Sequence, residues 1–133
     1  MDYSRGQGYN PSLWWLDVET TANNKYWTGN KSSNANVIEG AVAGLRSMGA
    51  FPGIYSTNLQ WNQITGSSIT FPNIPLWVPG AGYIDQGDPS AVQICADTAG
   101  SDYQPFAGGS IVLVQYGYGV NTGSPYDLDY ACS

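Results

Sequence analysis

The run Leu13-Trp14-Trp15-Leu16-Asp17-Val18-Glu19 constrains this chain more than any other, because an aromatic, apolar stretch of strand length closes on two carboxylates spaced two residues apart. Side chains at i and i+2 of a strand share one face, with Cα atoms roughly 6.5–7 Å apart, so Asp17 and Glu19 are expected to project together from the C-terminal end of a strand. That end is where parallel α/β enzymes carry their chemistry. Close carboxylates on an apolar strand drive their pKa values apart, so that one stays protonated as an acid while its neighbour is ionised. A strand running out into water can also end in acids for solubility alone, and the rest of the chain must decide between the two.

At 133 residues the chain fits one domain with a core of useful size. Charged residues make up 11%, with ten acidic against four basic side chains, no His and a net charge of −6. No Lys/Arg cluster is present to neutralise a phosphate backbone, and the aromatics are not interleaved with basic residues, which argues against a nucleic-acid partner. No apolar run approaches the roughly 18 residues of a membrane span. Without His the Ser-His-Asp and Cys-His constellations are excluded, and two cysteines alone make no zinc site. Carboxylates remain the acid/base candidates.

Cys95 and Cys132 are expected to form a disulfide closing a loop of about 38 residues, worth about 4 kcal/mol on the chain-entropy model, with two buried free thiols as the alternative. The exported look of the composition points to a secreted protein. The opening Met1-Asp2-Tyr3-Ser4-Arg5-Gly6 lacks the apolar centre of a signal peptide, so an export signal is expected to have been removed or to lie on a longer parent chain.

Strand-like runs alternate with loop or helical segments, the pattern of βα units on a parallel sheet, which predicts an α/β domain of about five mostly parallel strands with flanking helices. The first strand is predicted from Leu13 to Glu19. A polar loop over 20–34 follows, carrying Trp27 on the carboxylate side. Val37, Ile38, Ala41, Val42 and Leu45 fall on one face of a helix predicted over 35–48, opened by Asn36 and Glu39 as a capping box and stopped by Gly49 and Pro52. Further strands are predicted at 53–56 with Tyr55 inward, at 74–79 with Trp77, at 111–116 ending in Gln115 and Tyr116, and at 126–131, where Asp127 and Asp129 share a face. Short helices are expected at 57–64, carrying Trp61, and from Pro89 onward, capped by Asp88. Singly, Tyr55 and Trp77 read equally well as core aromatics and Gln115 as a partner for a buried backbone group. Together these strand ends outline an aromatic, acidic cleft.

In order, WWLDVET, GIYST, PLWVPG, VLVQYG and YDLDYAC resemble the glycoside hydrolase family 25 lysozyme (muramidase) superfamily and, more narrowly, its actinobacterial secreted branch. The similarity runs from Leu13 onward and matches the second half of that family's (βα)-barrel. The resemblance implies Glu19 as general acid, Asp17 as the carboxylate that steadies the transition state or orients the substrate's N-acetyl group, and Asp127, ahead of Asp129, as the acid of the last strand. It implies Tyr55, Trp77, Gln115 and Tyr116 as substrate-binding positions, and Trp27 is expected to line the same cleft. The implied substrate is a β-1,4 cell-wall polysaccharide, cut without metal or organic cofactor.

A (βα)-barrel takes about 250 residues, and the family's first three strands, with a further site aspartate, are missing here, so the expectation is a partial barrel. Residues 2–8 read as the end of a helix preceding the first strand. Bare edges and an apolar inner face require cover: a second copy of the chain, a complementary N-terminal half, or refolding into a more compact sheet. Self-association into a homo-oligomer is the expectation. A hydrolase and a glycan-binding half-barrel without turnover would use the same residues, and both readings stand at this point.

Overall fold

The computed structural model describes residues 6–8, 11–21, 26–81, 89–116 and 127–133. Along the chain run β1 (Leu13–Asp17), α1 (Lys31–Ser47), β2 (Phe51–Tyr55), α2 (Asn58–Thr65), β3 (Pro75–Ala81), α3 (Ala91–Cys95), a 3-10 turn (Ser101–Tyr103), β4 (Ser110–Tyr116) and β5 (Leu128–Ala131). The five strands form one sheet in chain order; β1 to β4 are parallel, and β5 returns antiparallel along β4. A doubly wound sheet would reverse direction at a switch point, whereas here each βα unit is laid beside the previous one in the same sense, as the staves of a barrel are. The chain therefore forms the α/β partial barrel that its sequence predicts.

One face of the sheet is committed to the helices. Val18, Ile54, Leu76, Val78 and Val114 bury against Ile38 and Val42 of α1, Trp61 and Ile64 of α2, and Ile94 of α3. Each large aliphatic or aromatic side chain withdrawn from water contributes about 1.5–3 kcal/mol before entropy is counted. Strand side chains alternate, so Trp15, Asp17, Tyr55, Trp77 and Gln115 occupy the opposite face, where the inside of a complete barrel would be.

Helix boundaries depart from the sequence expectation for identifiable reasons. α1 starts a full turn earlier than the apolar pattern suggests, because the side chain of Asn30, not Asn36, accepts the Ser33 amide at 3.1 Å and caps it. The first turn is then pinned by a buried polar residue. The Asn34 amide donates to Thr28 O and Ile64 O at 3.0 Å each, while its Oδ1 accepts from the Thr28 amide and hydroxyl. α2 is capped by Thr57 and ends at Gly66, whose positive φ of 66° suits a residue without Cβ. At α3, Ser90 replaces the expected cap: its hydroxyl accepts the Gln93 amide while the Gln93 side chain accepts the Ser90 amide, a complete capping box. Pro89 therefore precedes the cap, and Asp88 lies outside the described residues, as do Tyr126 and residues 2–5 of the expected leading helix.

Cys95 and Cys132 form the expected disulfide, with Cα atoms 5.4 Å apart. It ties α3 to the residue after β5, whose amide donates to Val112 O at 3.0 Å. The edge strand is thus clamped to the core twice. Replacing both cysteines with serine is expected to cost about 4 kcal/mol of unfolding free energy, read from denaturant unfolding as a lower midpoint.

On the inner face, Trp15 lies opposite Gly53 in the β1–β2 register, and a Cβ added at Gly53 would sit 2.5 Å from ring carbons of Trp15. Glycine is what lets the indole lie flat across the neighbouring strand. Gly53→Ala is expected to destabilise the protein by about 1–3 kcal/mol in urea unfolding and to alter Trp fluorescence; an unchanged midpoint would show that the ring has room to move.

Candidate active site

Strand register builds the site in a row: Asp17 pairs with Tyr55, and Tyr55 with Trp77. The Tyr55 and Trp77 rings meet edge-on at 4.7 Å between centroids, and Trp15 meets Trp77 in the same manner at 5.6 Å. Such T-shaped contacts place ring edges against ring faces and stiffen the group beyond simple burial.

Polar bonds extend the row across the remaining strands. The Tyr55 hydroxyl donates to Gln115 Oε1 at 2.5 Å, and Gln115 Nε2 donates to Asp127 Oδ2 at 3.0 Å. With its oxygen accepting and its nitrogen donating, the buried Gln115 amide has a fixed orientation. Trp77 Nε1 donates to Asp129 Oδ1 at 2.8 Å. Asp127, just before β5, and Asp129 within it are therefore both in use, one holding Gln115 and the other holding Trp77.

The carboxylate pair sits at the other end of the row. Past the end of β1 the backbone stays anchored: Val18 N–H donates to Tyr55 O at 2.9 Å, and the buried Ser56 hydroxyl donates to Val18 O at 2.7 Å. Trp27 Nε1 donates to Glu19 O at 2.7 Å while its ring packs on the core, so Trp27 is held beside the acid's backbone. Glu19 is half-buried, and its pKa is raised above 4.5, first by burial, then by the Asp17 charge, and then by a hydrogen bond with Asp17. Only protonated Glu19 can donate that bond, which is why it favours the neutral form.

Two cavities meet at Glu19. One of about 190 Å³ is lined by Asp17, Glu19, Thr21, Tyr26 and Trp27. The other, about 290 Å³, runs from Glu19 toward Thr57 and Gln60 of the α2 start, Gly80 of β3, and Asp102 and Tyr103 of the 3-10 turn. A larger cavity of about 480 Å³ opens beside Phe51, Pro52, Ile74 and Pro75 at the opposite end of the strands, with Arg46 as its charged group. Among the described residues around it there is no acid, and it lies at the end that parallel α/β folds leave to stability.

The structure thus gathers Asp17, Glu19 and Trp27 at one end, with Tyr55, Trp77, Gln115 and Asp127 along the row. Tyr116 goes elsewhere: alternation after Gln115 turns it to the helix side, where it packs against the core. Trp15 and the cavity residues Gln60, Asp102 and Tyr103 were not singled out by sequence reasoning. Trp15 was within reach of it, since it stands two residues before Asp17 on the same face. Among the described residues, no group of three or more His, Cys, Asp or Glu could hold a metal ion, and no helix is long and apolar enough to cross a membrane.

The family model described as lysozyme-like protein 1 matches residues 1–110 of the chain. Two probable GH family 25 lysozymes of Dictyostelium discoideum are similar over 98% of the chain, number 4 at 30% identity and number 2 at 34%. Lysozyme-like protein 2 of Caenorhabditis elegans is 34% identical over 47% of the chain and 22% of its own length. The chain spans about half, 54%, of the length of either Dictyostelium relative. No solved structure matches. A partial barrel with a DxE carboxylate pair at its first strand end and relatives of one kind along almost its whole length agree: the chain belongs to the GH25-like lysozyme family.

Proposed function

We propose that this chain is a lysozyme-like glycoside hydrolase domain that cuts β-1,4 links of a peptidoglycan-type glycan, with Glu19 as general acid and Asp17 as its partner. Glu19 carries this reading: it is half-buried, bonded to Asp17 and holds its proton more tightly than a free carboxyl. Its proton passes to the glycosidic oxygen as the C1–O bond breaks. The Asp17 carboxylate steadies the positive charge that grows on the ring carbon, or orients the 2-acetamido group toward it. Water then adds to C1, and its proton returns to a carboxylate.

Tyr55, Trp77 and Trp15 supply half-exposed aromatic surface of the kind that stacks on sugar rings, with Gln115 and Asp127 as polar partners and Trp27 beside the acid. The names of the relatives, GH family 25 lysozymes, support the reaction class. The disulfide supports a secreted protein.

A second reading is a glycan-binding partial barrel without turnover, favoured by the row of edge-on aromatic rings, which can stack on sugars without any proton transfer. Glu19→Gln separates the two. For a hydrolase, kcat on cell-wall glycan is expected to fall by about 10²–10⁴-fold, the usual contribution of a general acid, with glycan binding retained. Binding without turnover in both proteins would support the module.

The inner aromatic face and the outer edge of β1, which pairs with β2 on one side only among the described residues, require a cover. In our reading two copies of the chain supply it, with a complementary N-terminal half as the other candidate. Light scattering behind size-exclusion chromatography is expected to give the dimer mass; a clean monomer would contradict self-association.

A further inference from the structure

The two cavities that meet at Glu19 are not equivalent, because Asp17 lines the smaller one and not the larger. A glycoside bond under attack is equally lopsided. Its oxygen takes a proton, the donor sugar on one side gathers positive charge at C1, and the leaving sugar on the other gathers none. The acid must therefore touch both sugars' shared oxygen, whereas the carboxylate that steadies charge must lie with the donor sugar. From this asymmetry we infer the direction in which the glycan lies: the donor sugar lies with Asp17, whose strand partner Tyr55 begins the aromatic row, and the leaving sugar occupies the cavity of Gln60 and Tyr103. This assignment rests on the hydrolase reading above and extends it to residues outside the DxE pair.

The larger cavity has the build of a sugar site. Asn58 Nδ2 donates to Ser101 O at 2.9 Å, which ties the 3-10 turn carrying Asp102 and Tyr103 to the first turn of α2. The Tyr103 ring lies against the end of β3, where a Cβ on Gly80 would come within 3.0 Å of it; the positive φ of 105° there also suits glycine. The Gln60 amide is half-buried, and its contacts with the Thr57 and Thr20 hydroxyls are 3.4 and 3.5 Å, at the outer limit of a hydrogen bond. It keeps capacity for a sugar hydroxyl or acetamido group. Glu19 and Asp102 are the charged residues among those described around this cavity, so it suits an uncharged, hydroxyl-bearing sugar and disfavours an anionic one.

Two substrates that share a donor disaccharide test the direction: a cell-wall tetrasaccharide, whose leaving group is a sugar, and an aryl glycoside, whose leaving group is not. Gln60→Ala and Tyr103→Ala are each expected to lower kcat/KM about five- to tenfold on the tetrasaccharide, the loss of a hydrogen bond or a stacking contact, and by less than about twofold on the aryl glycoside. Gln60→Ala keeps the test available if Tyr103→Ala unfolds. Equal losses on both substrates, or no loss on either, would overturn the assignment while leaving the hydrolase reading intact. A folded wild-type protein that cleaves neither substrate would overturn both.

Discussion

Everything in the site hangs on one line of strand pairing, Asp17 opposite Tyr55 and Tyr55 opposite Trp77. Because side chains alternate with a period of two, a slip of one residue in any of these strands would send its contribution to the helix side. The register is held from that other side. Val18, Ile54, Leu76, Val78 and Val114 are all buried against the helices, so the apolar face fixes which residues are left for chemistry. Gly53 then allows Trp15 to lie across the neighbouring strand and complete the aromatic row.

The same construction separates tasks along the row. At the β5 end, acids serve as acceptors: Asp127 orients Gln115, and Asp129 holds Trp77. At the β1 end the acids are hydrogen-bonded to each other, and Glu19 is half-buried next to Trp27. Arg46 lines the cavity at the far end of the strands, away from the carboxylate pair. A cation beside Glu19 would favour its ionised form and remove the proton that an acid catalyst must deliver. The disulfide links the two ends indirectly by clamping β5, so the acceptors for Gln115 and Trp77 stay in place.

Much of this was legible in the sequence because the chain obeys simple periods. The apolar run at 111–116, the WWLDVE strand and the ordered motifs gave the parallel sheet, its partial-barrel character and the gathering of Asp17, Glu19, Tyr55, Trp77 and Gln115. What stayed hidden was polar and local. A buried Asn34 with all its bonds satisfied is invisible to a count of apolar residues, so the apolar pattern places the start of α1 a turn too late. Ser90 caps α3 because its partner Gln93 completes a reciprocal pair, which a single acidic cap candidate does not announce. Tyr116 looked like a cleft residue beside Gln115, yet neighbours in a strand must face opposite ways. The Gln60–Tyr103 wall comes from elements far apart in the chain, joined by the Asn58–Ser101 bond, and no local pattern announces it.

In the proposed reaction Glu19 is the acid, its proton held by burial and by Asp17. Carbon-13 NMR of the side-chain carboxyls, followed through a pH titration of the wild type and of Asp17→Asn, tests it most directly. The Glu19 midpoint is expected above 4.5 in the wild type and lower once the Asp17 charge is removed, because Asp17 favours the protonated form. A Glu19 that titrates at or below that value, or one that ignores the loss of Asp17, would contradict it.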